Sequence, residues 1–95
     1  MLEEKIVKER LRLCNPGITG QLCAALQMSQ EESEVISKNY YLDHTEGQIA
    51  DEIAVSRATV QRIKKRALQK IIHATRCLDH FDNKTSKLIQ DVFFS

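Results

Sequence analysis

The most basic stretch of the chain runs from residue 53 to residue 78 and contains no acidic side chain. Seven of the chain's 14 lysines and arginines lie in this stretch, whereas all 13 aspartates and glutamates lie outside it. The net charge of +1 therefore conceals a basic segment attached to an acidic body. Clustered ammonium and guanidinium groups neutralise phosphates, so the chemistry expected of this segment is the binding of a polyanion.

Two capped helices joined by a short turn are predicted to position the basic side chains. Thr45 with Gln48 forms a capping-box pattern, which opens a short helix at Glu46, and Ser56 is the expected N-cap of a long helix. Ala54 and Val55 form the turn, and the unit as a whole is a helix-turn-helix. Helical periodicity sends one set of side chains into an apolar hub, namely Ile49, Ile53, Val60 and Ile63. It sends another set outward, namely Ser56, Arg57, Ala58, Gln61, Arg62 and Lys65.

The rest of the 95-residue chain predicts further amphipathic helices. We expect one helix over residues 2–14 with Leu2 on its apolar face, and a second capped by Thr19 and ending near Met28. Ser29 and Glu32 form a capping box that starts a third helix at Gln30, and Asn83 or Thr85 should cap a tail helix. The predicted fold is all-α, a helical bundle of about five to six helices containing a helix-turn-helix with a long recognition helix. Its parts are an N-terminal extension over 1–28, the helix-turn-helix unit over 29–78 and a C-terminal helix over 79–95 that packs on the core or on a partner subunit.

Residues 28–71, "MSQEESEVISKNYYLDHTEGQIADEIAVSRATVQRIKKRALQKI", resemble the fourth conserved region of bacterial sigma factors. The shared pattern is an acidic capped helix, a tyrosine-rich end, an "IA-E" helix, an "SR-TV-RI" recognition helix and a closing "RAL-K-I". The resemblance implies a domain that reads a promoter −35 element and packs against the flap of the RNA polymerase β subunit. It also implies a recognition helix starting at Ser56, with Arg57, Ala58 and Arg62 reading bases. Thr59, Gln61 and Lys65 then lie nearer the DNA backbone.

The chemistry of these side chains assigns roles to them on double-stranded DNA. The forked guanidinium groups of Arg57 and Arg62 can bind guanine O6 and N7, each with about 1–3 kcal/mol of discrimination. Hydroxyl groups at helix starts can donate to phosphate oxygens, and lysines and arginines can neutralise phosphates. The hydroxyl set is Thr45, Ser56 and Thr59, and the basic set is Lys64, Lys65, Arg66 and Lys70. If roughly five phosphates are neutralised per subunit, log K falls with log salt at a slope of about −4 to −5.

Three departures from the family pattern limit which DNA target and which kind of sigma-like protein we expect. Ala58 stands where housekeeping sigma factors usually have Glu, so the contact to cytosine is missing and the target sequence should differ. Ala54 replaces the turn Gly, which is tolerable if the turn residue avoids the left-handed conformation. Residues 1–27 contain nothing like a promoter-melting region. We therefore expect a small sigma-like transcriptional regulator, as found in phages or other mobile elements, rather than a complete sigma factor.

Particular residues suggest other functions. In a protein-interaction module, Glu31, Glu32 and Glu34 of the acidic third helix would bind RNA polymerase or another regulator. Surplus apolar surface on the terminal helices leaves a homodimer open. His73, Cys77 and His80 have spacing that would suit a metal on a continuous helix, but no fourth ligand is evident nearby. We expect no metal or cofactor, and no enzyme, because phosphate loops, nucleophile elbows and paired carboxylates are missing from the sequence.

The location is predicted from cysteines and hydropathy. Cys14, Cys23 and Cys77 are odd in number and stand among apolar neighbours, which favours reduced thiols over a disulfide framework. The sequence contains no run of about 18 apolar residues and no secretory signal pattern. These features predict a cytoplasmic protein without a membrane span.

Overall fold

The computed structural model describes residues 4–40 and 42–94, and this part of the chain contains six α-helices and no strand. The all-α prediction is therefore confirmed. Leu2 of the predicted first helix and Tyr41, the second tyrosine of the tyrosine-rich end, lie outside the described residues. A short 3₁₀ turn, Leu78–His80, connects the last two helices. The helices are α1 (Glu4–Leu13), α2 (Pro16–Ala25), α3 (Gln30–Tyr40), α4 (Glu46–Glu52), α5 (Arg57–Arg76) and α6 (Asn83–Phe93).

Three of the predicted helix starts are confirmed by their hydrogen bonds. The Ser29 N–H donates to Glu32 Oε1 at 2.9 Å and the Glu32 N–H donates to Ser29 Oγ at 3.2 Å, which closes the first capping box. The second box closes in the same way at the start of α4, with bonds of 2.8 and 3.1 Å between Thr45 and Gln48. Ser56 Oγ accepts the Thr59 N–H at 3.1 Å at the start of α5. Each bond satisfies an N–H that the first helical turn leaves free.

The predicted caps of α2 and α6 are wrong. Thr19 is fully buried inside α2, which begins at Pro16 because Asn15 accepts the Ile18 N–H at 2.9 Å and proline suits the first helical turn. The cap of α6 is Asp82, whose carboxylate accepts the Thr85 N–H at 2.7 Å. Asn83 and Thr85 consequently lie within the first turn of α6.

Two apolar clusters hold the helices together, one at each half of α5. The cluster at its first half joins α3, α4 and α5 through Val35, Ile49, Ala50, Val60 and Ile63. The cluster at its second half gathers α1, α2, α3 and α6 around the rest of α5. The members of this larger cluster include Val7, Leu11, Leu22, Ile36, Tyr40, Ala67, Ile71, Ile89 and Phe93. Helices α1 and α6 pack on α5, and the outward face of its first half stays open to solvent.

The turn between α4 and α5 contains a residue in the left-handed region. Ala54 has φ 59°, and the Val55 N–H donates to the Ala50 carbonyl at 3.0 Å, which is the longer bond of a Schellman closure. The condition under which alanine would fit the turn without strain, that this residue avoids the left-handed region, is therefore not met. A Cβ in left-handed backbone costs about 1 kcal/mol or more, so the turn carries local strain.

We predict that Ala54→Gly raises the free energy of unfolding by about 1 kcal/mol, because glycine adopts positive φ without the Cβ clash. Ala54→Val provides the matched control, since a β-branched residue tolerates this conformation less well than alanine. Chemical denaturation should therefore rank the three variants Gly, Ala, Val in falling stability. A glycine variant less stable than the natural chain would contradict the strain.

The described residues contain neither a membrane-spanning helix nor a disulfide bond. No helix among them has both the length and the apolar character required to cross a bilayer. Cys14, Cys23 and Cys77 are unpaired in the structure.

Candidate nucleic-acid interface

The first half of α5 presents a polar, basic face to solvent. Val60, Ile63 and Ala67 point into the core, and the side chains between them are exposed except that of Lys64, which is half-buried. The exposed set at this end of the helix is Ser56, Arg57, Ala58, Gln61, Arg62 and Lys65, which agrees with the outward orientation predicted from periodicity. We call these six exposed residues the reading face. Thr59, beside them, is half-buried.

Arg62 is oriented by hydroxyl groups at the start of α5. Its Nη2 donates to Thr59 Oγ1 at 3.3 Å, and Thr59 Oγ1 shares a second hydrogen bond of 2.8 Å with Ser56 Oγ. Because Ser56 also caps the helix, the guanidinium is tied to the first turn of α5 through two side chains. Arg57, the first residue of the helix, makes no ion pair with any described residue. Both guanidinium groups thus stand at the exposed end of the helix.

Thr45 lies at the start of α4 and is exposed. Its Oγ1 accepts the Gln48 N–H at 3.1 Å. A hydroxyl that accepts one hydrogen bond still carries a proton to donate. Thr45 therefore keeps the capacity to donate to a phosphate oxygen that the sequence predicted for it.

Arg66 and Lys70 lie along one flank of α5 and meet a buried carboxylate that the sequence analysis did not connect with them. Arg66 Nε is 3.3 Å from Glu32 Oε2, and Lys70 Nζ is 2.7 Å from Glu32 Oε1. The Glu32 side chain is only 1% exposed, whereas the two cations remain 58% and 42% exposed. Two positive charges share one negative charge at this flank, so about one of them is left for phosphates.

The environment of Glu32 keeps its carboxylate ionised. Burial raises its pKa, but hydrogen bonds from Lys70 and Ser29 and the charge of Lys70 lower it more, so the pKa falls from 4.5 to about 2. The same side chain completes the capping box of α3. Glu32 therefore belongs to the folded core and cannot be a docking acid of the protein-interaction alternative, unlike the exposed Glu31.

Lys64 lies on the opposite flank of α5, where it contacts an aromatic ring. Its Nζ is 5.4 Å from the centre of the Tyr40 ring, and Arg12 Cζ of α1 is 5.2 Å from the same ring. Tyr40 is 4% exposed, and burial raises its pKa to about 12, with a smaller opposing effect from Arg12. Burial also lowers the pKa of Lys64. Lys64 is half-buried and less open to a ligand than Lys65, which is exposed.

The three residues considered for a metal do not share one helical face. Helix α5 ends at Arg76, Cys77 follows it, and His80 lies in the 3₁₀ turn. Within residues 4–40 and 42–94, histidine, cysteine and acidic side chains form no group of three or more that could hold a metal ion.

Comparison with known proteins bears on this face of α5. Residues 25–73 match the family model described as Sigma-70, region 4. The matched segment contains α3, α4, the turn and α5 up to His73, and it covers just over half of the chain. The curated proteins and the solved structures that were compared with the chain gave no match.

Proposed function

The chain belongs to the sigma-70 region 4 family, which makes it a DNA-binding helix-turn-helix protein, and we propose that it is a sequence-specific transcriptional regulator that places α5 in a DNA major groove. The observation that carries this proposal is the reading face of α5, where basic and polar side chains stand exposed in a stretch without any acid. A helix about 10 Å across fits the major groove, which is about 12 Å wide.

In this proposal the residues of the reading face, together with Thr45, make different kinds of contact with the DNA. Arg57 and Arg62 bind guanine O6 and N7. Ala58 offers only a methyl group, which suits the C5-methyl of thymine and cannot accept a hydrogen bond from cytosine. Lys65 neutralises a phosphate, and the hydroxyl groups of Thr45 and Ser56 donate to phosphate oxygens.

The cellular setting is part of the proposal. Transcription regulation by a sigma-like domain implies RNA polymerase as a partner. The three unpaired cysteines support a reducing, cytoplasmic location. A homodimer would bind two half-sites related by a twofold axis.

Selection of bound sequences from a random double-stranded DNA pool at near-physiological salt tests the proposal. One recurring half-site is expected if the chain binds as a monomer, and an inverted pair of half-sites is expected if it binds as a dimer. Enrichment of guanine at two positions would agree with the roles of Arg57 and Arg62. A pool without enrichment would contradict sequence-specific reading and favour a protein-interaction module.

The salt dependence of binding provides a further prediction. Because Glu32 compensates one of the two charges of Arg66 and Lys70, and Lys64 is half-buried against Tyr40, fewer than five phosphates should be neutralised. We expect log K to fall with log salt at a slope of about −3 per subunit, shallower than the sequence alone suggests. Fluorescence anisotropy with a labelled duplex at several salt concentrations measures the slope. A flat response would contradict DNA binding through these side chains.

A further inference from the structure

Helix α1 lies outside the matched segment, yet it packs beside the helix that is proposed to enter the DNA. We propose that Lys8 of α1 binds a phosphate of the DNA backbone next to α5, so that the DNA contact extends beyond the helix-turn-helix. The inference rests on the proposed function and adds an element and a residue to it.

An open cleft between α1 and α5 carries the inference. The cleft has a volume of about 420 Å³, and Gln61 and Lys65 of the reading face line it together with Lys8 of α1. Its other lining residues are Glu4, Glu46, Lys64 and Leu68. A ligand that touches Lys65 therefore comes within reach of the Lys8 side chain, which is 39% exposed.

The two flanks of α5 differ in which helices supply their charged side chains. When a helix lies in a major groove, its flanks face the two backbones that border the groove. On one flank, Glu32 compensates part of the charge of Arg66 and Lys70. On the other flank, Lys8 adds a positive charge beside Lys64 and Lys65. The strand on the α1 side should therefore be held by α1 and α5 together.

Two acidic residues oppose this contact. Lys8 Nζ is 3.2 Å from Glu4 Oε1, one helical turn away, and Glu46 at the start of α4 lines the same cleft. A phosphate at the cleft would compete with Glu4 for Lys8. Removing Lys8 and removing Glu4 should consequently change DNA affinity in opposite directions, although both substitutions break the same surface ion pair.

Lys8→Gln and Glu4→Gln in the full chain test the inference, with Lys84→Gln as the matched control. Lys84 is an exposed lysine on α6 that lines a different groove, between α2 and α6. Anisotropy titrations should use the selected duplex and a scrambled duplex of equal length at several salt concentrations. Lys8→Gln should weaken binding to both duplexes roughly fivefold at about 0.15 M salt and make the salt slope shallower by about 0.9, as expected for one lost phosphate contact.

The opposite effect of Glu4→Gln separates a DNA contact from a merely structural ion pair. Glu4→Gln should tighten binding to both duplexes about twofold, because the charge competing for Lys8 is gone. Lys84→Gln should leave binding unchanged. Equal effects of Lys8→Gln and Glu4→Gln, or no effect of either, would overturn the inference. If Arg62→Ala still abolishes selective binding in that case, the proposed function stands without α1, whereas a natural chain that binds neither duplex would overturn both.

Discussion

Replacing Arg57 and Arg62 together with alanine is expected to weaken binding to the selected DNA sequence by about 2–6 kcal/mol, a loss of about 30-fold or more. Each arginine is proposed to make a bidentate contact with guanine, and each such contact discriminates by about 1–3 kcal/mol. Both side chains are exposed on the first two turns of α5, so the fold should not change. Anisotropy titration with the selected duplex measures the loss, and thermal unfolding checks the fold.

Lysine substitutions distinguish recognition of guanine by the guanidinium groups from simple attraction between positive charges and phosphates. Arg57→Lys with Arg62→Lys keeps both positive charges but removes the planar fork that matches O6 and N7 of guanine. This variant should lose most of its preference for the selected duplex over a scrambled one, while its salt slope stays close to that of the natural chain. The bond from Arg62 to Thr59 supports this expectation, because it orients the guanidinium from the helix start.

A third arginine on the same helix supplies the control. Arg76 is the last residue of α5 and is exposed, but it stands at the far end from the reading face. Arg76→Ala should change DNA binding little. If Arg57→Ala with Arg62→Ala bound the selected duplex as tightly as Arg76→Ala does, the reading face would be refuted, and intact binding to a protein partner would then favour the interaction module.

The largest effect on stability should come from removing the cations that face Glu32. Arg66→Met with Lys70→Met is expected to lower the free energy of unfolding by about 3–5 kcal/mol, because an almost fully buried carboxylate then lacks compensating charge. Methionine keeps much of the apolar stem of each side chain, so the loss reports mainly on charge. A domain of this size has a total stability of about 5–15 kcal/mol, so the double variant should be close to unfolding. Denaturation with urea measures the difference.

Glu32→Gln separates the buried charge from other causes of this loss. Introduced into the double variant, it should restore part of the stability, because a neutral amide costs less to bury than an unpaired carboxylate and can still accept the Ser29 N–H. In the natural background, Glu32→Gln should cost less than the double variant, since the two cations it leaves behind are partly exposed and can be hydrated. A triple variant no more stable than the double variant would show that the loss does not come from the buried charge.

The pKa of Glu32 adds a pH dependence to the same prediction. Its pKa is about 2 in the folded chain and 4.5 for an ordinary glutamate, so the unfolded state takes up this proton first as the pH falls. The contribution of Glu32 to stability is therefore fully present above pH 4.5 and decreases towards pH 2, by about 3 kcal/mol in all. The free energy of unfolding, measured between these pH values, should fall more steeply with decreasing pH for the natural chain than for Glu32→Gln. Parallel curves would contradict the lowered pKa.

Much of the architecture follows from local patterns in the sequence. The capping residues Ser29, Thr45 and Ser56 were predictable because a cap bonds an N–H only three residues further along the chain. The outward orientation of Arg62 was predictable because helical periodicity relates it to the buried Val60 and Ile63. The family resemblance rests on the same local patterns, since it falls within the capped helices and the turn between them.

Local patterns did not predict features that depend on contacts between residues distant in sequence or on the hydrogen bonds of a whole turn. Thr19 looked like a cap, but α2 packs against α3 and α6, and the threonine lies inside the bundle. The sequence left the backbone conformation of Ala54 open, and the closure of α4 by the Val55 N–H gives it a positive φ. The energy of one strained residue is small compared with the apolar contacts that bring α4 and α5 together.

By itself the sequence determined an all-α chain with a basic helix, its start and its outward face, because these depend on residues within a turn or two of one another. Only the tertiary structure decided how the basic residues are divided. Arg66 and Lys70 lie 34 and 38 residues from Glu32 along the chain, and the packing of α3 on α5 brings them to the same carboxylate. Lys8 reaches the edge of the reading face in the same way, through the packing of α1 on α5. The sequence shows how many cations the helix carries, but how many of them are available to bind phosphates depends on which acidic side chains the fold places beside them.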